Sequence, residues 1–117
     1  MRAGTQILKR VNDVKNAEPR PGEVWWMNVC QYDRSNQYKG RPVLIRNVIG
    51  SNVVCCQCTS KYHEGITTYC IMDPVSAGLA KTTYVKNQPL TVPRSRLSRR
   101  MGRLSSHDIR DIQEALA

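Results

Sequence analysis

Between residues 23 and 92 the chain is divided into short stretches of β-branched, aromatic and aliphatic residues, each closed within a few positions by Gly, Pro, Asn or Asp. Stretches of this length and composition suit half-buried strands. The strongest are residues 23–29 (EVWWMNV), 43–48 (VLIRNV), 53–59 (VVCCQCT) and 66–72 (ITTYCIM), and 82–85 and 90–92 complete the series. Ile49-Gly50-Ser51-Asn52 supplies turn chemistry between the second and third, which makes them a hairpin. Short strands at close spacing predict a mainly β fold, either a small barrel or a highly curved sheet.

The flanks have a different period. In residues 5–17, Ile7, Leu8, Val11 and Val14 recur at helical spacing. Pro19, Pro21 and Gly22 then stop the helix. Residues 1–18 are therefore expected to form an N-terminal helical extension, and 19–117 the compact domain. Near the other end Ser105 and Asp108 have the spacing of a capping box, and Leu104 with Ile109 that of a hydrophobic staple. Ile109, Ile112 and Leu116 mark one face of a terminal helix. Residues 30–40 (CQYDRSNQYKG) lose the apolar pattern and predict a long polar loop running into Arg41-Pro42.

A chain of 117 residues has room for one domain with one modest core. No apolar run approaches the ~20 residues that cross a bilayer, and residues 1–17 lack the apolar block of a secretory signal. The cytosol is the expected compartment, where the five cysteines would be free thiols. Eighteen Lys and Arg against nine Asp and Glu give a net charge of +9. Such a domain prefers polyanions: nucleic acid first, an acidic protein second. With no Phe in the chain, stacking on bases falls to Tyr or Trp.

Several catalytic classes find no support in these residues. Cys56, Cys58, His63 and Cys70 could supply four zinc ligands, yet Cys56 and Cys58 lie two apart on one strand face, where zinc sites use a tight turn. Core packing is the better account of the cysteine cluster. A two-histidine ribonuclease would have only His63 and His107, and His107 falls in the capping turn. No nucleophile elbow or phosphate-cradling glycine loop occurs, which argues against a Ser-His-Asp hydrolase and an ATPase. Arg94, Arg96, Arg99, Arg100 and Arg103 read either as a solvated linker before the helix or as phosphate contacts. Gly40-Arg41-Pro42 is more informative, because Pro restricts the residue before it and so pins Arg41 where a loop enters a strand. Thr59 and Ser60 end the neighbouring hairpin strand, so their hydroxyls can share a mouth with Arg41 if strand lengths match.

The order of motifs carries a resemblance. Pro21-Gly22-Glu23-Val24-Trp25-Trp26, Gly40-Arg41-Pro42-Val43-Leu44, Cys58-Thr59-Ser60, Gly78-Leu79 with Thr83-Tyr84-Val85, then Ser95-Arg96-Leu97 and Gly102-Arg103-Leu104-Ser105 resemble the MazF/PemK family of toxins from bacterial toxin-antitoxin pairs. The resemblance covers about residues 19–117. It implies an SH3-like curved barrel shared with CcdB toxins, a terminal helix and a homodimer. It also implies a metal-independent endoribonuclease that cuts single-stranded mRNA at a short sequence, leaving a 2′,3′-cyclic phosphate and a 5′-hydroxyl. The family's catalytic Arg and Thr map onto Arg41 and Thr59, and the implied RNA contacts are Asn36, Gln37, Lys39, Ser60, His63 and Gln88. An acidic antitoxin is the implied partner, and no cofactor is implied. The family's loop before Gly-Arg-Pro often carries an acid followed by Gln, but residues 35–39 (SNQYK) hold no acid, so an acid-dependent step there does not transfer. The alternative is a non-enzymatic protein on the same fold, a CcdB-like gyrase poison or a degenerate RNA binder.

Overall fold

The computed structural model describes residues 18–30 and 38–115. Six strands form one antiparallel sheet: β1 (Glu23–Cys30), β2 (Tyr38–Ile49), β3 (Asn52–Thr59), β4 (Thr67–Cys70), β5 (Tyr84–Pro93) and β6 (Leu97–Arg103). A helix, α1 (Ser106–Ala115), closes the described chain. The strand order is β4-β5-β3-β2-β1-β6, so the sheet is curved but unclosed, with β4 and β6 at its two edges. The gap between the edges is filled by residues 71–79. There Arg103 N–H donates to Ser76 O at 3.2 Å and Ser76 Oγ donates to Arg103 O at 2.9 Å. Gly78 and Gly102 make this contact possible, since a methyl on either would overlap backbone across it.

Period-two alternation sends side chains to both faces of the central strands, and both faces are buried. Val24, Leu44, Cys56 and Cys58 join a first cluster with Ile71, Ala77, Leu79, Val85, Leu104 and Ile112. Trp25, Met27, Val43, Ile45, Val53 and Cys55 form a second, covered by Val48, Val92 and Leu97. That cover exists because a 3₁₀ turn (Arg94–Arg96) carries the chain from β5, beside β3, to β6, beside β1. Arg94 N–H pins the turn by donating to Ser51 O at the tip of the β2–β3 hairpin, 2.9 Å. The expected hairpin forms, with its connection shortened to two residues because Ile49 pairs with Asn52, and Gly50 lies at φ +59°.

Four expectations change. β2 begins at Tyr38, so Gly40-Arg41-Pro42 lie inside a strand, with Trp26 opposite Pro42 and Met27 opposite Arg41. Polar residues do not prevent this, because the ladder is made by backbone. Pairing of β2 with β3 ends at Val43, which leaves Pro42 on a locally free edge where its missing N–H is tolerated. β4 is shorter than residues 66–72, because Ile71 N–H already turns to Thr83 O and the next two N–H groups go to the helix. The segments at 82–85 and 90–92 are parts of one strand, β5. The arginine run is no linker but the 3₁₀ turn and edge strand β6. The N-terminal helix over 5–17 and Leu116 lie outside the described residues.

α1 starts as predicted, with Asp108 N–H donating to Ser105 Oγ at 3.1 Å. The Asp108 carboxylate does more than complete a cap. It is fully buried and accepts from Tyr69 Oη (2.6 Å), Met72 N (2.8 Å), Asp73 N (3.0 Å) and Ser105 Oγ (3.1 Å). The helix is thereby tied to β4 and to the start of the 71–79 segment. His107 stands exposed and pairs with Asp111 one turn on, 3.1 Å. Cys55, Cys56 and Cys58 are core residues, whereas Cys70 is exposed.

Candidate active site

A cleft of about 580 Å³ opens where β2, β3 and β5 meet residues 78–81. Arg41 reaches it from β2, and Thr59 and Ser60 from the end of β3. His63 enters from the turn that follows. Four of the site residues expected from the sequence are thus brought together. Lys39 is placed on β2 opposite Val29. Gln88, exposed on β5, is not among the lining residues, and Asn36 and Gln37 lie outside the described residues. Residue-by-residue reading missed Trp26, Lys61, Lys81, Thr83 and Lys86, all of which line the cleft. Lys61 was legible as the neighbour of Ser60. Lys81, Thr83 and Lys86 required the β3–β5 pairing, for which the sequence carries no local signal.

Local structure sets each group. Gly40 lets the Trp26 indole lie against the β2 backbone, since a methyl there would overlap the ring. Gly40→Ala is therefore expected to displace Trp26 and cost about 1–3 kcal/mol. A red-shifted tryptophan emission and a lower denaturation midpoint would report it, and wild-type values for both would refute it. Thr59 is 8% exposed, and its Oγ1 accepts from Lys61 N–H at 3.2 Å. Accepting that bond leaves the hydroxyl proton available to a ligand. His63 is held through its backbone: its N–H donates to Thr67 Oγ1 (3.0 Å), and its carbonyl accepts from that hydroxyl (2.9 Å). Its side chain stays exposed at the mouth.

Arg41, Lys61, Lys81 and Lys86 contribute positive charge to the lining, and among the described residues no carboxylate belongs to it. The arginine run does not reach the cleft. Arg100 bonds the buried Glu23 carboxylate at 3.1 Å, the other oxygen of which accepts from Trp25 Nε1 and Arg20 N; Arg94 pairs with Glu18 at 3.1 Å. Cys58 faces the cleft floor, but burial, with Cys56 beside it, pushes its thiol up to about 12 and removes it as a nucleophile. Cys56, Cys58, His63 and Cys70 do not gather, and among the described residues no three His, Cys, Asp or Glu form a ligand group.

The fold and site are thus a small curved sheet with a cleft whose described lining is cationic and bears hydroxyls. The model of the PemK-like, MazF-like toxins of type II toxin-antitoxin systems matches residues 20–117, and the chain belongs to that family. Solved structures agree in fold. A Mycobacterium tuberculosis toxin, MazF-mt6, is 25% identical with a TM-score of 0.59, the match covering 83% of this chain and 92% of that one. An endoribonuclease in complex with its cognate antitoxin from a mycobacterial species is 21% identical with a TM-score of 0.61, covering 86% and 91%. A further mycobacterial endoribonuclease is 19% identical with a TM-score of 0.60, covering 85% and 88%. No curated protein matches the chain in sequence. Among the described residues no helix is long and apolar enough to cross a membrane.

Proposed function

We propose that the chain is a metal-independent, sequence-specific endoribonuclease acting on single-stranded mRNA, with Arg41 and Thr59 as its catalytic residues. The observation that carries this reading is the convergence of Arg41 and Thr59, from different strands, in one cleft whose described charged lining is cationic. The ribose 2′-oxygen attacks the adjacent phosphorus, the bond to the 5′-oxygen breaks, and a 2′,3′-cyclic phosphate and a 5′-hydroxyl result. Negative charge builds on the non-bridging oxygens during attack. The Arg41 guanidinium and the Thr59 hydroxyl stabilise it as preorganised donors. Lys61, Lys81 and Lys86 hold neighbouring phosphates. The His63 imidazole is the lining group suited to take the 2′-hydroxyl proton, and the 5′-oxygen recovers a proton from solvent. An acidic antitoxin segment matches the same cationic surface and silences the enzyme by covering it, and the working form is a homodimer in the cytosol.

The test is a long RNA incubated with the purified protein in EDTA, with product ends determined. Discrete cuts at a recurring short sequence, ending in cyclic phosphate, are expected. Intact RNA at high protein concentration, with salt-sensitive binding retained, would sink the enzymatic reading and leave a non-enzymatic binding protein.

A further inference from the structure

We propose that Tyr62 is a stacking platform for one nucleobase, set beside the phosphate held at Arg41 and Thr59; this rests on the RNA-cleaving reading above. Tyr62 lies between Lys61 and His63, both of which line the cleft, and is itself 62% exposed. The ring is exposed but not loose. It meets Tyr84 edge to face, with centroids 5.7 Å apart and planes at 69°. That arrangement uses an edge of one ring and one face of the other, so Tyr84 leaves at least one face of Tyr62 uncovered.

Its position is anchored from three directions. Tyr84 sits on β5 opposite Thr59, which ties the ring pair to the proposed catalytic hydroxyl. Lys61 N–H is bound to Thr59 Oγ1 on one side, and the His63 backbone to Thr67 Oγ1 on the other. A ring held this way loses little freedom when a base lands on it, which lowers the cost of binding. Of the other described aromatic side chains, Trp25 is in the core and Tyr69 binds Asp108, while Trp26 lines the cleft with its indole laid against Gly40. Single-stranded RNA presents unstacked bases with open π-faces, and cationic grooves with exposed rings hold such strands.

The test uses a fluorescein-labelled, mixed-sequence single-stranded RNA and its abasic counterpart, titrated by fluorescence anisotropy. The full-length protein carries Arg41→Ala to prevent cleavage, alone or with Tyr62→Ala or Tyr62→Phe. Tyr62→Ala is expected to weaken RNA binding about tenfold, Tyr62→Phe to retain it, and the abasic strand to bind all three alike. Unchanged RNA affinity in Tyr62→Ala overturns the stacking role while leaving the cleavage reading in place. An equal loss on the abasic strand also overturns it, since the ring would then act through loop shape. Absence of RNA binding by every form sinks both readings.

Discussion

Arg41→Ala is expected to lower the single-turnover rate of RNA cleavage by on the order of 10²–10³, the effect of removing one preorganised donor from a developing oxyanion. RNA binding should fall far less. Losing one phosphate contact reduces the slope of log affinity against log salt by about one unit, with the lysine contacts remaining. Arg41→Lys should restore the salt slope without the rate, because an ammonium carries the charge but lacks the planar fork that spans two phosphoryl oxygens. Rapid quench with end analysis, beside binding curves at several salt concentrations, separates the two effects. Wild-type cleavage by Arg41→Ala would remove the residue from the mechanism. The fold should survive the change, because Arg41 is only partly buried and pairs with Met27 through backbone.

The second large effect concerns stability. Asp108→Asn keeps the shape of the carboxylate but puts an amide donor where one oxygen had faced only donors, Asp73 N–H and Ser105 Oγ. A cost of roughly 3 kcal/mol is expected, or about 10–15 °C in melting temperature for a domain this size. Tyr69→Phe, which removes one of the four bonds, should cost a fraction of that. Burial alone would push the Asp108 carboxyl up, yet hydrogen bonds from Tyr69, Met72, Asp73 and Ser105 hold it below the ordinary carboxylate value. Because the folded-state value is depressed, the contribution is complete above the unfolded value of about 3.9 and is lost as pH falls through the folded one. Burial, and then the bond to Asp108, raises the Tyr69 phenol, so its contribution is complete below about pH 10 and is lost above that. Thermal melts from pH 2 to 8 test the acid side, where Asp108→Asn should flatten the loss below about pH 4. An unchanged acid limb would show that Asp108 does not set it.

What the sequence disclosed follows from how local each signal is. Strand identity was readable where a short apolar run with β-branched residues is bounded by turn residues, as in 53–59, and the Ser105–Asp108 cap was readable because both partners lie within one turn. β6 was not, because an edge strand needs only backbone to pair and its side chains are mostly arginine and serine in water. The deeper role of Asp108 depends on residues more than thirty positions away, which no window contains. The site was half legible for the same reason. Arg41 and Thr59 came from a resemblance carried by short motifs, while Lys81 and Lys86 reach the cleft only through the order in which strands pair.

The strand that presents Thr59 also carries three thiols, and their burial makes that strand indifferent to oxidants. Burial, with Cys56 alongside, pushes Cys55 up to about 11; Cys58 reaches about 12, and Cys56 is raised for the same first cause, burial. At pH 7 a thiol of pKa about 11 is ionised in about one molecule in ten thousand. Oxidising conditions would meet Cys70, exposed on β4, before any thiol of β3. β3 can therefore keep its shape through an oxidative stress that alters more exposed thiol proteins.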